Sequence, residues 1–197
     1  SSIYMSYLIK PDIMPTHASM LTIVAALSTA MAIRDVTKLD AMIKWPNDIV
    51  VNGKKVCGIL TEMTADMDRI EQVVVGIGVN VNMLEFDDSI KTTATSLRIE
   101  SGDIIKRSSI IVKMLSYFEK YYDIFVKTED LSGLVDAYND LLVNRDKEVR
   151  VIEKNNEWNA KALNINEKGE LVVVDDEGKV KTIMSGEVSV RGIYGYV

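Results

Sequence analysis

Apolar and polar residues alternate loosely from Ser1 to Ile9, with Ile3, Tyr4, Tyr7 and Leu8 predicting an opening strand. Pro11 and Pro15 bracket a loop. The period then lengthens. Met20, Ile23, Val24, Leu27 and Met31 recur at helical spacing, which predicts a buried helix over about 18–36 with Thr16 placed to cap it. Residues 41–44 read as a strand entering a turn at Pro46. Ile49 to Val51, then Asn52-Gly53, then Val56 to Met63 predict a hairpin, because Asn-Gly suits a type I′ turn. Arg69 to Val75 reads as a further strand. It runs into Gly76 and Gly78, where a bulge or a close approach of backbone to ligand is expected. Met83 to Ser101 is loop-like.

Helical spacing returns at Ile111, Met114, Leu115, Phe118, Tyr122 and Phe125, predicting a helix over 108–126. A shorter one is expected over 130–142. The pattern changes again after Asn144-Arg145-Asp146-Lys147, the expected boundary between a domain of residues 1–144 and one of 145–197. Beyond it lie short β-like runs at 148–152, 157–165, 170–174, 179–183 and 187–193, separated by Asn155-Asn156, Lys168-Gly169, Asp176-Glu177-Gly178 and Ser185-Gly186. Five short strands joined by such turns predict a small barrel.

Composition narrows the function classes. At 197 residues and 47% apolar content, the chain has enough apolar material for a core, which argues against global disorder. The net charge of −6 divides as −5 on residues 1–144 and −1 on 145–197. Neither part carries the basic stripe of a nucleic-acid binder. Cys57 is the one cysteine and His17 the one histidine, so an internal disulfide, a zinc site and a Cys/His nucleophile pair are not expected. A reducing cytoplasm is the expected setting. The uncharged run from Ala18 to Ile33 is shorter than the roughly 20 residues of a membrane span, so it is read as a core helix.

The chemistry concentrates in three segments. Lys44-Trp45-Pro46-Asn47-Asp48 packs a lysine, an amide and a carboxylate beside a rigid ring and an indole. Pro, Asn and Asp favour turns on their own account. The same residues also supply what a nucleotide phosphate needs: fixed positive charge, polar hydrogen bonds and a carboxylate for Mg²⁺. Asn52-Gly53-Lys54-Lys55 reads either as a hairpin tip with exposed lysines or as a means of bringing Lys55 to a developing negative charge, with Gly58 letting a substrate lie on the strand. It is not a Walker A loop. Gly76-Ile77-Gly78-Val79-Asn80-Val81-Asn82 lacks the third glycine and following helix of a dinucleotide fingerprint. It reads as a glycine-bearing strand, or as one that offers Asn80 and Asn82 amides to a nucleotide.

In this order, the Lys-Trp-Pro-Asn-Asp turn, the Lys55-Val56-Cys57-Gly58-Ile59-Leu60-Thr61-Glu62 strand and the Gly76-Ile77-Gly78-Val79-Asn80 strand resemble the biotin protein ligases. The stretch from Met184 to Gly192 resembles the end of that family's small C-terminal domain. The resemblance implies an α+β fold: a mixed sheet flanked by helices, like the class II aminoacyl-tRNA synthetases and biotin ligases, followed by an SH3-like β-barrel. It implies an ATP- and Mg²⁺-dependent ligase that forms biotinyl-5′-AMP and passes biotin to a lysine of a biotin carboxyl carrier protein. By position it implies that Lys55 contacts biotin and adenylate, and that Gly58 lines the biotin site. Asn47 and Asp48 then lie near phosphates and metal, with Asp48 as Mg²⁺ ligand, and Lys44 and Trp45 shape the turn. Asn80 contacts adenylate, and Arg191 approaches the nucleotide. A homodimer is the expected assembly, with neither membrane nor nucleic acid as partner of this segment. The family's glycine- and arginine-rich biotin loop lies upstream of the segment where this sequence starts, so the expected catalytic core lacks its N-terminal part.

The sequence also admits two other readings. One is a lipoate-type acyl-adenylate ligase, which shares the fold and logic. The other is a non-catalytic truncated fragment that binds a carrier or dimerises.

Overall fold

The computed structural model describes residues 1–66, 69–153, 156–185, 189–192 and 196–197. A first sheet is built from β1 (Ile3–Ile9), β2 (Met42–Lys44), β3 (Asp48–Val51), β4 (Lys54–Asp66) and β5 (Arg69–Val79). Its order is β1-β5-β4-β3-β2, and every neighbouring pair is antiparallel. The expected sheet flanked by helices is present. It is not mixed among its strands, however. Among the described residues, parallel pairing is confined to the isolated bridges Ile43–Leu142 and Lys55–Ala94.

Strict alternation decides what each face does. On β5, Val73, Val75, Ile77 and Val79 are buried, while Val74, Gly76 and Gly78 lie on the other face. The buried face packs beneath α1 (Met20–Thr37), whose Leu21, Val24, Ala25, Ala26, Leu27, Ala30 and Ile33 have no solvent exposure. Small alanines let the helix sit close to the sheet. Against α1 lies α3 (Arg107–Thr128), which buries Ile110, Met114, Phe118, Tyr121 and Phe125. Phe118 stacks on Tyr7 of β1, with ring centroids 4.4 Å apart. The stretch Pro15–Thr37 is 23 residues long and apolar enough to cross a membrane by length and composition, which corrects the expectation that this run is too short. In this fold it is mostly buried inside the protein.

Several local readings change. Thr16 does not cap α1. It belongs to a 3-10 turn, Pro15–His17, that leads directly into the helix, and Ser19 occupies the cap position without a side-chain bond. The loop-like segment 83–101 contains a short helix, α2 (Leu97–Ser101), capped by the Ser96 hydroxyl, which accepts from the Ile99 N–H. The helix expected over 130–142 is only α4 (Val135–Leu141). Asp130 is held in a turn by the Ser132 N–H and hydroxyl, and the Leu131 N–H donates to Glu167 O, so the earlier residues are bound elsewhere. No bulge occurs at Gly76 or Gly78. Each is paired on both sides, with Ser6 and Leu60, and with Tyr4 and Gly58. The Asn52-Gly53 hairpin has both residues at positive φ (49° and 75°), as a type I′ turn requires.

A second antiparallel sheet joins β6 (Glu148–Glu153), β7 (Asn156–Ile165), β8 (Leu171–Asp175), β9 (Val180–Ile183) and β10 (Ser189–Gly192) in the order β10-β6-β7-β8-β9. Asn155, Gly186 and both ends of the last expected strand, 187–193, lie outside the described residues. Val149, Val151, Ala162, Leu171 and Val173 form its interior. Polar bonds tie the two sheets together. The Asn139 carboxamide accepts from Ile165 N–H and donates to Ile165 O, and the Val143 N–H donates to Ile43 O.

Candidate active site

The register of the first sheet sets out a site row by row. Across the strands, Tyr4 pairs with Gly78, Gly78 with Gly58, Gly58 with Asp48, and Asp48 with Lys44. These five residues therefore share one transverse row on the face away from α1. Two glycines in the middle leave a bare floor between Tyr4 and the charged end. The next row, Ser6-Gly76-Leu60, extends it. The result is a groove of about 670 Å³ whose walls include Tyr4, Ser6, Asn47, Asp48, Lys55 and Leu60.

A bulge aims Lys55 into this groove. Ile49 pairs with Cys57 but Val50 pairs with Lys55, so Val56 is an extra residue on β4. Val56 and Cys57 are both buried in the core, and Lys55 swings onto the same face as Gly58. A Cβ on Gly58 would lie 3.0 Å from Lys55 Cε and Nζ, so the lysine lies directly over that glycine. The loop beside it is held by two backbone bonds, Lys55 N–H to Thr93 O and Thr95 N–H to Lys55 O.

Asp48 organises the charged end. Its Oδ1 is 2.5 Å from Lys55 Nζ, and its Oδ2 accepts from the Tyr196 hydroxyl. Lys44, only 7% exposed, has its ammonium 4.5 Å from the centroid of the Tyr196 ring. Burial lowers the Lys44 pKa from its ordinary value. Asp48 offsets part of this, while Lys55 and Arg191 add to it. Burial raises the Tyr196 pKa, and the bond to Asp48 raises it further. Three cations, Lys44, Lys55 and Arg191, thus act on one another at this end of the groove, with Asp48 the carboxylate paired to Lys55. Such an excess of fixed positive charge beside a bare floor suits an anionic ligand with an extended uncharged part.

Comparison with known proteins fits this geometry. Residues 1–80 match the model of the biotin/lipoate A/B protein ligase family, and residues 146–191 match the biotin protein ligase C-terminal domain. The bifunctional ligase/repressor BirA of Bacillus subtilis is 35% identical over 190 residues, covering 95% of this chain and 58% of that protein. The chain thus spans somewhat over half the length of the curated relatives it matches. The biotin protein ligase of Aquifex aeolicus superposes with a TM-score of 0.86 at 29% identity, covering 97% of this chain and 82% of that one. Its complex with biotin and ATP superposes at 0.84. The chain belongs to the biotin protein ligase family.

Within this biotin protein ligase fold, the expected site residues separate into two groups. Lys44, Asn47, Asp48, Lys55, Gly58 and Arg191 converge on the groove or its charged end. Asn47 fixes the turn to β4, donating from its amide to Ile59 O at 2.8 Å. Trp45 and Asn80 are not among the groove's lining residues. The Trp45 indole is 1% exposed and donates to Gly169 O at 2.9 Å, while its backbone N–H donates to Asn144 Oδ1. A buried indole N–H needs a partner, and this one finds it on the β7–β8 turn, so Trp45 fastens the two sheets. The Asn80 amide donates to Thr95 O, anchoring the loop beside Lys55. Both ends of the Asn82 amide are taken by the Ile105 backbone. Asp48, expected as a Mg²⁺ ligand, has its Oδ2 bonded to the Tyr196 hydroxyl and its Oδ1 against the Lys55 ammonium. No group of three His, Cys, Asp or Glu residues suited to a metal occurs among the described residues. The sequence reading missed Tyr196 and Tyr4. Tyr4 sits opposite Gly78, and the meaning of its 83% exposure on the face opposite the buried Ile3 and Tyr7 is visible only once the register is known.

Proposed function

We propose that this site performs the two half-reactions of a biotin–[carboxyl carrier] ligase. In the first, a biotin carboxylate oxygen attacks the α-phosphorus of ATP. The bond from that phosphorus to the α,β-bridging oxygen breaks, and pyrophosphate leaves with the electron pair. In the second, a lysine amine of a biotin carboxyl carrier protein attacks the acyl carbon of the mixed anhydride. An amide forms, AMP departs, and the amine loses its proton.

One observation carries the reading: Lys55 lies over Gly58 at the charged end of the bare Gly58–Gly78 floor. The floor takes the uncharged body of the acid. Lys55 meets its carboxylate where two anions must approach, and the cation offsets their repulsion as charge builds on the α-phosphate. Asp48 keeps Lys55 in place. Lys44 and Arg191 supply the remaining positive charge for the phosphates. Asp48 is the carboxylate that would hold a Mg²⁺ ion on the nucleotide phosphates, where the ion would neutralise part of their charge. No side-chain nucleophile is needed, and buried Cys57, whose thiol pKa burial raises, supplies none.

The reading includes residues 1–144 as the adenylating domain and 145–197 as the SH3-like domain, supported by the separate strand sets of the two sheets. It also includes a cytoplasmic setting and a homodimer formed through the first sheet, whose edge strand β1 carries the exposed Tyr4 and Leu8.

The test uses the complete gene product containing these residues. Pyrophosphate release is expected to require both biotin and MgATP, and biotin is expected to appear on a carrier lysine. Turnover with lipoate but not biotin would assign the lipoate-type reading. Adenylate formation with neither acid would leave only a carrier-binding or dimerising role.

A further inference from the structure

Tyr196 lies 148 residues from Asp48 in the chain, yet its hydroxyl donates to Asp48 Oδ2. The residues around it hold it there. A Cβ at Gly192 would fall 2.2 Å from the carbonyl oxygen of Val197, so only a glycine leaves room for Val197 this close to β10. Val197 also reaches the β3–β4 hairpin, with its Cγ2 3.3 Å from where a Gly53 Cβ would stand. Tyr196 is therefore seated between the second sheet and the charged end of the groove.

Asp48 has two oxygens and two lysines beside it, Lys55 and, across β2 and β3, Lys44. Lys55 takes Oδ1. If Oδ2 were unpaired, the Lys44 ammonium would be the competing donor, because Lys44 stands directly opposite Asp48 across β2 and β3. A carboxylate shared between two lysines would turn away from Lys55. The Tyr196 hydroxyl occupies Oδ2, and its ring meets Lys44 through its face, which holds that cation by cation–π attraction.

We propose that Tyr196 is a positioning residue of the adenylation site: its hydroxyl fixes Asp48 so that Lys55 stays over Gly58, and its ring shields Lys44. The proposal rests on the biotin-ligase reading above. Tyr196 acts through Asp48 and Lys44 and takes no part in the bonds that form or break.

The experiment compares Tyr196→Phe and Tyr196→Ala with the unsubstituted protein, again in the complete gene product. Biotin-dependent pyrophosphate release is followed at varied biotin and varied MgATP, and acylation of Lys44 by an amine-reactive ester is followed by mass spectrometry. In Tyr196→Phe, kcat is expected to fall about tenfold, the size of one lost charge-assisted hydrogen bond, with KM for biotin unchanged. Lys44 stays protected in that variant, because the ring remains. In Tyr196→Ala, kcat falls by at least as much and Lys44 becomes reactive. Tyr196→Phe is expected to lose some thermal stability with its bond to Asp48, yet to be as fully folded as the unsubstituted protein by circular dichroism at the assay temperature, which separates positioning from folding.

Unsubstituted kinetics in Tyr196→Phe would overturn the proposal. A lower KM for MgATP with undiminished kcat would also overturn it, because Tyr196 would then be an obstacle that the nucleotide displaces. Lys44 reactivity unchanged in Tyr196→Ala would remove the shielding role. Absence of biotin-dependent turnover in the unsubstituted protein would instead sink the underlying reading, whatever the labelling pattern.

Discussion

The two faces of the first sheet are made by the same strands and obey opposite rules. Toward α1, β5 presents Val73, Val75, Ile77 and Val79, each almost wholly buried. Toward the groove, the same strand presents Val74, Gly76 and Gly78, and β4 adds Gly58 and Leu60. One face is filled and the other left bare. Burial of apolar surface stabilises the fold through the first face. The second face gives up that stabilisation, because a groove has to keep room for a ligand. A lysine and an aspartate with little exposure sit at its end, a costly arrangement unless they are paired. Stability and function are thus separated by a single residue step along each strand.

That separation predicts opposite phenotypes. Lys55→Ala is expected to lower adenylate formation by about 10²–10³-fold, the scale of losing one preorganised electrostatic contact to developing charge. Its thermal unfolding should stay close to that of the parent, since the Lys55 side chain is 38% exposed and touches the groove face. A purified variant with parental turnover would sink the assignment of Lys55. Leu27→Ala, on the helix covering the other face, should do the reverse. Leu27 has no exposure, so a loss of about 2–5 kcal/mol in unfolding free energy is expected, with turnover per folded molecule retained. A catalytic defect in soluble, folded Leu27→Ala would break the comparison.

How far the sequence alone reaches follows the same division. The filled face was legible, because alternating valines and isoleucines and a 3.6-residue period need no knowledge of partners. The Asn52-Gly53 hairpin was legible for a similar reason: its backbone requirement is local. The groove was legible only in part. Lys44, Asp48, Lys55 and Gly58 stand in motifs, but the bulge that aims Lys55 does not show. Its extra residue, Val56, is as apolar as its neighbour Cys57, so the alternation carries no trace of the slip. The direction of the Trp45 indole was not legible, because a turn rich in functional groups does not tell which way an indole points. Its partner, Gly169, is 124 residues distant. Tyr196 was missed for the same cause.

A finer test stays on the groove floor. Gly58 and Gly78 face each other across β4 and β5, yet a methyl group has different neighbours at each. At Gly58 it would meet Lys55 at 3.0 Å, closer than ordinary contact, so the lysine must shift. At Gly78 it would meet only the Tyr4 ring, at an ordinary 3.7 Å. Gly58→Ala is therefore expected to lower kcat for adenylate formation about tenfold, and Gly78→Ala mainly to raise KM for biotin. Steady-state kinetics at varied biotin separates the two. Equal effects on kcat from both substitutions would mean that the Lys55 position over Gly58 is not what the reaction uses.

The smallest effect tests the filled face at its polar exception. Tyr7 stacks on Phe118 with its hydroxyl buried and without a hydrogen-bond partner. Burial, with a smaller contribution from Cys57, pushes its pKa up to about 12. An unfolded chain sheds that proton near ~10. Between about 10 and 12 the folded state therefore holds a proton that the unfolded state has lost, and stability falls as pH rises through that window. Tyr7→Phe removes the unpaired hydroxyl and the titration together. At pH 7 it is expected to stabilise the protein by about 1 kcal/mol, since a buried orphan hydroxyl costs roughly that much. The advantage should then widen from pH 10 to 12. Other buried tyrosines titrate high in both proteins, so the difference between them isolates Tyr7. Urea unfolding of the pair at pH 7, 10 and 11.5 makes the measurement. A gap that stays constant with pH would mean that the Tyr7 hydroxyl reaches water, and that the two faces of the sheet differ less than the burial pattern indicates.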